Sequence, residues 1–244
     1  MTESQPWLYN AAVAAHLTPD LALYAGLTRG LEESPVAPDT ATNRDEGPPA
    51  ILTRQYDAGL RWAITPTLRL VGGLFNVEKP YFNLDESRLY RRLGEVRHRG
   101  IELSLTGSPF ANFNLVAGAV LLDAEVRGEA VEAGVTGRRP VGSTRRTLIL
   151  SGEYQLPTVP GLSIDAGLNS YGRRIANTDN SLTVPAVTVA NAGLRYRWTQ
   201  GKVPASLRFQ VTNLFNAYFW EVRASNAFFY NFPRLASLRL TVDL

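Results

Sequence analysis

Two stretches of the chain concentrate residue types able to hold a ligand. The first follows Lys79 and contains Tyr81, Phe82, Tyr90, Arg91 and Arg92, with Arg97 and Arg99 just beyond. Guanidinium groups among aromatic rings supply charge-assisted hydrogen bonds and stacking, the chemistry that holds an anionic or catechol-bearing ligand. The competing reading is that these arginines face lipid phosphates and the rings form an interfacial girdle. The second stretch holds Tyr218, Phe219, Trp220, Phe228, Phe229, Tyr230 and Phe232. Most of these suit girdle or packing roles, and Trp220 and Tyr230 are the candidates for ligand contact.

Covalent and metal chemistry find little material. There are no cysteines, which excludes disulfides, CxxC metal sites and thiol catalysis. The two histidines, His16 and His98, fall at opposite ends of the pattern described next, so no metal site uses both. No Ser–His–Asp set can be placed, and the glycines sit in strands or turns instead of forming a phosphate loop. The reading is of a non-enzyme without a cofactor. A net charge of +3, carried by scattered arginines, does not predict a nucleic-acid partner.

The elements that position these residues alternate with period two. Ile101, Leu103 and Leu105 oppose Glu102, Ser104 and Thr106; Leu194, Tyr196 and Trp198 oppose Arg195 and Arg197; Leu238, Leu240 and Val242 oppose Ser237, Arg239 and Thr241. Such alternation gives sheets with one apolar and one polar face. Strands are expected over 7–16, 20–29, 52–63, 67–78, 96–107, 112–124, 145–156, 161–172, 187–198, 203–214 and 235–244. No stretch reaches the ~20 apolar residues of a membrane helix, but a membrane strand needs only about 9–11 residues, half of them apolar. The mean hydropathy of −0.11 fits that averaging.

Connection lengths sharpen the reading. Short connections such as Leu17-Thr-Pro19 and Ile64-Thr-Pro66 alternate with long ones covering 30–51, 79–95, 125–144, 173–186 and 215–234. In an up-and-down sheet this puts all short turns at one end and all long loops at the other. Outer-membrane barrels are built so, with long loops outside the cell, whereas a Greek-key sandwich has no reason to sort its loops. The fold class is therefore all-β: antiparallel up-and-down transmembrane barrel strands, eleven in number.

An odd count is awkward, because bacterial single-chain barrels have even numbers of strands and close completely. Two alternatives stay open. One is a complete small barrel of about twelve strands acting as a passive pore or lipid hydrolase, its extra strand drawn from 218–230. The other is a soluble antiparallel β-protein, which carries the same alternation.

A family resemblance answers the odd count. Phe75-Asn-Val-Glu-Lys-Pro80, Arg97-His-Arg-Gly-Ile-Glu-Leu103, Arg139-Pro-Val-Gly142, Val184-Pro-Ala-Val-Thr-Val189 running into Gly193-Leu-Arg-Tyr196, and Val211-Thr-Asn-Leu-Phe-Asn-Ala-Tyr218 resemble, in this order, motifs of TonB-dependent siderophore receptors. The resemblance implies a 22-stranded barrel closed by an N-terminal plug, of which residues 1–244 are the C-terminal half. It implies uptake of a ferric siderophore, with iron present only as that chelate, driven through TonB, ExbB and ExbD. It also implies an outer membrane of a Gram-negative bacterium, with lipid and lipopolysaccharide around the wall. The plug and the TonB-contacting motif lie N-terminal to the barrel in this family and are expected outside this chain. Met1-Thr-Glu-Ser-Gln-Pro-Trp7 has no signal-peptide character, which likewise predicts further sequence upstream. Glu102, Glu153, Asp165, Arg195, Arg197, Arg208 and Arg239 then face the lumen and are expected to form ion pairs; Arg195 and Arg197, two apart on one strand, need acidic neighbours.

Overall fold

The computed structural model describes residues 5–32, 36–47 and 50–243. Met1 and Leu244, at the ends of the sequence, lie outside the described residues. The elements in chain order are β1 (Tyr9–Thr18), β2 (Leu21–Glu32), β3 (Ile51–Thr65), β4 (Leu68–Leu84), β5 (Tyr90–Phe110), β6 (Phe113–Arg127), α1 (Glu129–Glu132), β7 (Arg146–Gln155), β8 (Leu162–Tyr171), β9 (Arg174–Ile175), β10 (Thr183–Val184), β11 (Val187–Gln200), β12 (Val203–Thr212), β13 (Trp220–Ala224), β14 (Ala227–Tyr230) and β15 (Leu235–Val242).

Eleven strands form one sheet in the order β1-β2-β3-β4-β5-β6-β7-β8-β11-β12-β15. Every neighbour pair is antiparallel. All eleven expected strands are present, and the short turns share one end. β9–β10 and β13–β14 are separate two-stranded hairpins. Residues 220–230 therefore do not supply a twelfth strand to the sheet, which removes the strand that a small closed barrel needed. With eleven antiparallel strands, β1 and β15 run in the same direction, and each has only one neighbour in the sheet.

Register puts the apolar residues on one face. Ala58, Leu74, Ile101 and Leu121 are successive partners across β3 to β6, as are Gly59, Gly73, Glu102 and Val120 on the opposite face. The apolar face is open: Leu103 is 49% exposed and Leu238 68%. A soluble sheet would cover such a face with a second layer, so the soluble reading fails on this observation. At the short-turn end the same face carries Trp62 and Tyr154, the stacked pair Phe110–Phe113 (centroids 4.8 Å) and Tyr196–Trp198 (5.7 Å). Aromatic rings at one border of an apolar band mark a membrane interface.

One expectation needs correction. Residues 79–95 are not an open loop, because β4 continues to Leu84 and β5 begins at Tyr90, leaving a turn of residues 85–89. The Asp85 carboxylate closes that turn by accepting from Ser87 N (2.9 Å), Ser87 Oγ (2.7 Å) and Leu89 N (3.0 Å). This hairpin rises above the apolar band, where neither face needs to be apolar, so the period-two signal vanishes there although the strands continue.

Candidate functional site

The β4–β5 hairpin separates the five candidate residues between two faces. Tyr81 pairs with Gly94 and Asn83 with Arg91 on the inner side, while Phe82 pairs with Arg92 and Leu84 with Tyr90 on the outer side. Tyr81 and Arg91 thus continue the lumen face, and Phe82, Tyr90 and Arg92 look outward. The Phe82 and Tyr90 rings lie 6.1 Å apart. Arg92 is held by Glu95 at 2.5 Å.

Arg91 is committed to neighbouring elements. Its Nε donates to Asp85 Oδ2 at 2.8 Å, and its two terminal nitrogens grip the Glu129 carboxylate of α1. Arg91 holds both carboxyls below their usual range, with Ser87 adding to the effect at Asp85. Its own pKa is raised by Glu129 first and Asp85 second.

This clip is one link in a series that joins the long connections. Asn43 meets the backbone of Tyr90, and Arg91 meets Glu129. Asn180 Oδ1 accepts from Arg139 N (2.7 Å) while its Nδ2 donates to Arg139 O (2.9 Å). Ser225 Oγ accepts from Thr178 N at 3.0 Å, and Asn226 N donates to Ala176 O at 3.0 Å. Arg91 and the backbone of Tyr90 thus also join loops. Asn43, Asp85, Glu129 and Asn180 were missed. The partners of Asn43, Glu129 and Asn180 are 38 to 47 residues away in sequence, and Asp85 sits in a turn that reads from the sequence as open loop.

The second candidate stretch is brought together. Trp220 and Tyr230 are cross-strand partners on β13–β14. Their ring centroids are 3.8 Å apart with planes tilted by 31°, and Tyr218 adds a third ring 5.1 Å from Tyr230, tilted by 36°. All three remain exposed, from 37% at Trp220 to 72% at Tyr218. A hydrogen bond to Tyr230 raises the Tyr218 pKa. Arg174, absent from the sequence-based candidates, donates to Trp220 O at 3.1 Å and lies over the Tyr171 and Phe219 rings.

The strand exit beneath this stack is held by Asn213, which has φ 50° and is 5% exposed. Its side chain accepts from Ala217 N (2.7 Å) and donates to Ala217 O (2.9 Å) and Phe232 O (3.3 Å). The motif Val211-Thr-Asn-Leu-Phe-Asn-Ala-Tyr218 is therefore a turn lock that aims the aromatic hairpin. The two candidate groups do not meet, since five sheet spacings from β5 to β12 amount to roughly 24 Å.

The inner face pairs its charges much as expected. Arg208 meets Asp165 at 2.9 Å, and Glu153 lies 3.6 Å from Arg195 and 4.0 Å from Arg197, supplying the acidic neighbour those arginines required. Glu102 and Arg239 make no ion pair among the described residues. Arg195, Arg208 and Arg239 stand in one cross-strand row. Gly193 leaves room for this network: a Cβ there would lie 2.6 Å from Asp165 Oδ2. A groove of about 420 Å³ runs along this face, lined by Glu153, Asp165, Asn191, Arg195, Arg208 and Gln210 among others. In and beside it, Ser163 Oγ, Asp165 Oδ2 and Arg208 Nη1 are shielded from solvent without a hydrogen-bond partner.

An apolar outer face, a polar inner face and loops sorted to one end define part of the wall of a large outer-membrane β-barrel. Residues 2–214 match the family described as TonB dependent receptor-like, beta-barrel, and the chain belongs to it. It is 28% identical over 234 residues to the ferrichrome receptor FcuA of Yersinia enterocolitica, covering 91% of this chain and 30% of that protein. The crystal structure of BauA, the ferric preacinetobactin receptor of Acinetobacter baumannii, superposes with a TM-score of 0.84 at 27% identity, covering 97% of this chain and 36% of that one. The siderophore receptor PiuA of the same organism gives 0.80 at 18% identity, over 96% of this chain and 35% of that one; this likeness bears on the fold alone. The chain spans about a third of the length of these relatives. Members of this family are outer-membrane proteins of Gram-negative bacteria, and that is where this chain resides.

Proposed function

We propose that residues 1–244 form the C-terminal half of the barrel of a receptor importing a ferric siderophore. The observation that carries this is an open eleven-stranded sheet whose long connections all lie at one end and which superposes on BauA over 97% of its length. Eleven further strands, beginning and ending on the opposite direction from β1 and β15, satisfy both edges and close a 22-stranded wall. The groove of about 420 Å³ along the charged inner face supports a plug packed against it. Drive then comes from TonB with ExbB and ExbD, through sequence outside this chain. The protein's work is transport, not catalysis, and iron enters only as a chelate.

Chelate contact is assigned to Trp220 and Tyr230, with Tyr218, because that stack is preassembled and exposed. Tyr81 joins from the inner side of the β4–β5 hairpin. Tyr90, Arg91 and Arg92 position that hairpin, and Phe82 packs outside it. The test is uptake of labelled ferric chelates by cells whose only receptor contains this chain, with the intact mass of the protein measured in native outer membranes. TonB-dependent uptake and a product much larger than 26.8 kDa support the reading. A native product of 26.8 kDa folded in the membrane overturns it.

A further inference from the structure

The inner face of the last strands pairs its charges by a repeating step. Arg195, Arg208 and Arg239 form one row across β11, β12 and β15. The first two each reach a carboxylate two strands back in the sheet and one inward position nearer the long loops. Arg195 shares its row with Gln155 on β7 and takes Glu153, one inward position above it. Arg208 shares its row with Ser163 on β8 and takes Asp165 above it, at 2.9 Å. The same step from Arg239 ends on Gly193, which has no side chain. That gap serves Arg208, whose reach to Asp165 crosses it; a Cβ at Gly193 would lie 2.6 Å from Asp165 Oδ2.

Arg239 is therefore left over. Arg195 and Arg197 already share Glu153, and Arg208 holds Asp165. Asp243, just past the end of β15 and inward by parity, lies four residues on, about 13 Å along the chain. On its other side Arg239 meets only the free edge of β15. We propose that the strand seated on that edge carries an inward carboxylate beside Arg239, and that this ion pair sets the register of the closing seam. Opposite charges on neighbouring strands stabilise a pairing, and like charges oppose it. The apolar outer residues Ala236, Leu238 and Leu240 exclude a slip of one residue, which would turn them to the lumen. They do not exclude a slip of two, because each apolar residue then takes the place of another. Arg239 stands between the neutral inward residues Ser237 and Thr241, so its counter-charge distinguishes the registers that the apolar pattern leaves equivalent. The inference rests on the half-barrel reading, because it needs a strand on that edge.

The test uses the whole receptor extracted from native outer membranes in mild detergent. R239K keeps the charge and offers an amine, which a carbodiimide joins to a carboxylate in contact with it; the parent's guanidinium does not react and is the control. Peptide mass mapping should find position 239 linked to one Asp or Glu of a barrel strand outside residues 1–244. R239Q should lower the temperature at which the folded band shifts on electrophoresis by about 2–4 °C, and R239K should restore it. If R239Q does not reach the membrane folded, the R239K cross-link still decides. No cross-link, a link to Glu153 or Asp165, or a link to a plug carboxylate overturns the inference and leaves the half-barrel reading standing. So does an R239Q receptor as heat-resistant as the parent. A native product of 26.8 kDa overturns both.

Discussion

Asn43 and Tyr90, 47 residues apart, are joined by two hydrogen bonds: Asn43 Nδ2 donates to Tyr90 O at 3.0 Å, and Tyr90 N donates to Asn43 Oδ1 at 2.8 Å. The side-chain amide thus stands in for a strand's peptide group at the edge of the β4–β5 hairpin. Asn180 treats Arg139 in the same way across the next pair of loops. Asn43→Asp removes the donor and should raise protease cleavage in residues 36–47 without changing the thermal midpoint of the barrel by more than about 2–4 °C. Limited proteolysis with mass mapping checks this.

The Arg91 clip sets a pH dependence. Asp85 and Glu129 have native pKa values depressed by Arg91, so their contribution is complete above the ordinary carboxylate values near ~4. It is lost only as pH falls below that range, through the depressed native values. Hydrogen-exchange protection in α1, corrected for the intrinsic rate at each pH, should therefore be flat from neutral to mildly acid pH and fall in strong acid. Arg91→Gln should give fast exchange in α1 already at neutral pH.

Asn213 combines a left-handed backbone with three buried hydrogen bonds. Asn213→Ala leaves the Ala217 amide and carbonyl without that partner and strains the backbone, costing about 1–3 kcal/mol. Asn213→Gly relieves only the strain and should fall between the two. The readouts are denaturant unfolding in detergent and proteolysis of residues 214–234.

Leu103 sits mid-strand on the lipid face and is 49% exposed. Leu103→Arg should cost about 2–4 kcal/mol in the bilayer. The conservative Leu103→Val should cost little. Assembly yield and urea unfolding in lipid vesicles distinguish them, and an arginine variant as stable as the parent would contradict the facing assigned here.

The exposed stack of Trp220 on Tyr230 makes a binding prediction. Truncating either ring should weaken chelate binding by about 2–10-fold, the equivalent of losing one aromatic contact of ~0.5–1.5 kcal/mol. Trp220→Phe should recover most of the loss. Tryptophan fluorescence quenching by ferric chelates serves for the tyrosine variants, and calorimetry for the tryptophan ones.

The strands, their facing and the sorting of their connections were legible in the residues themselves. Side chains on a pleated strand alternate by covalent geometry, so Ile101, Leu103 and Leu105 declare one apolar face with no knowledge of their partners. That pattern lasts only where the two faces meet different solvents. Above the bilayer it fades, and so the β4–β5 hairpin read as a loop. Only the assembled sheet decided that Tyr81 and Phe82 face opposite ways, that Arg91 belongs to Asp85 and Glu129, and that Trp220 lies on Tyr230. It alone placed Arg239 in a row with Arg208 and Arg195. These relationships depend on register and on contacts between turns and loops, from six residues for Arg91–Asp85 to 38 for Arg91–Glu129, and such contacts leave no periodic trace in the chain.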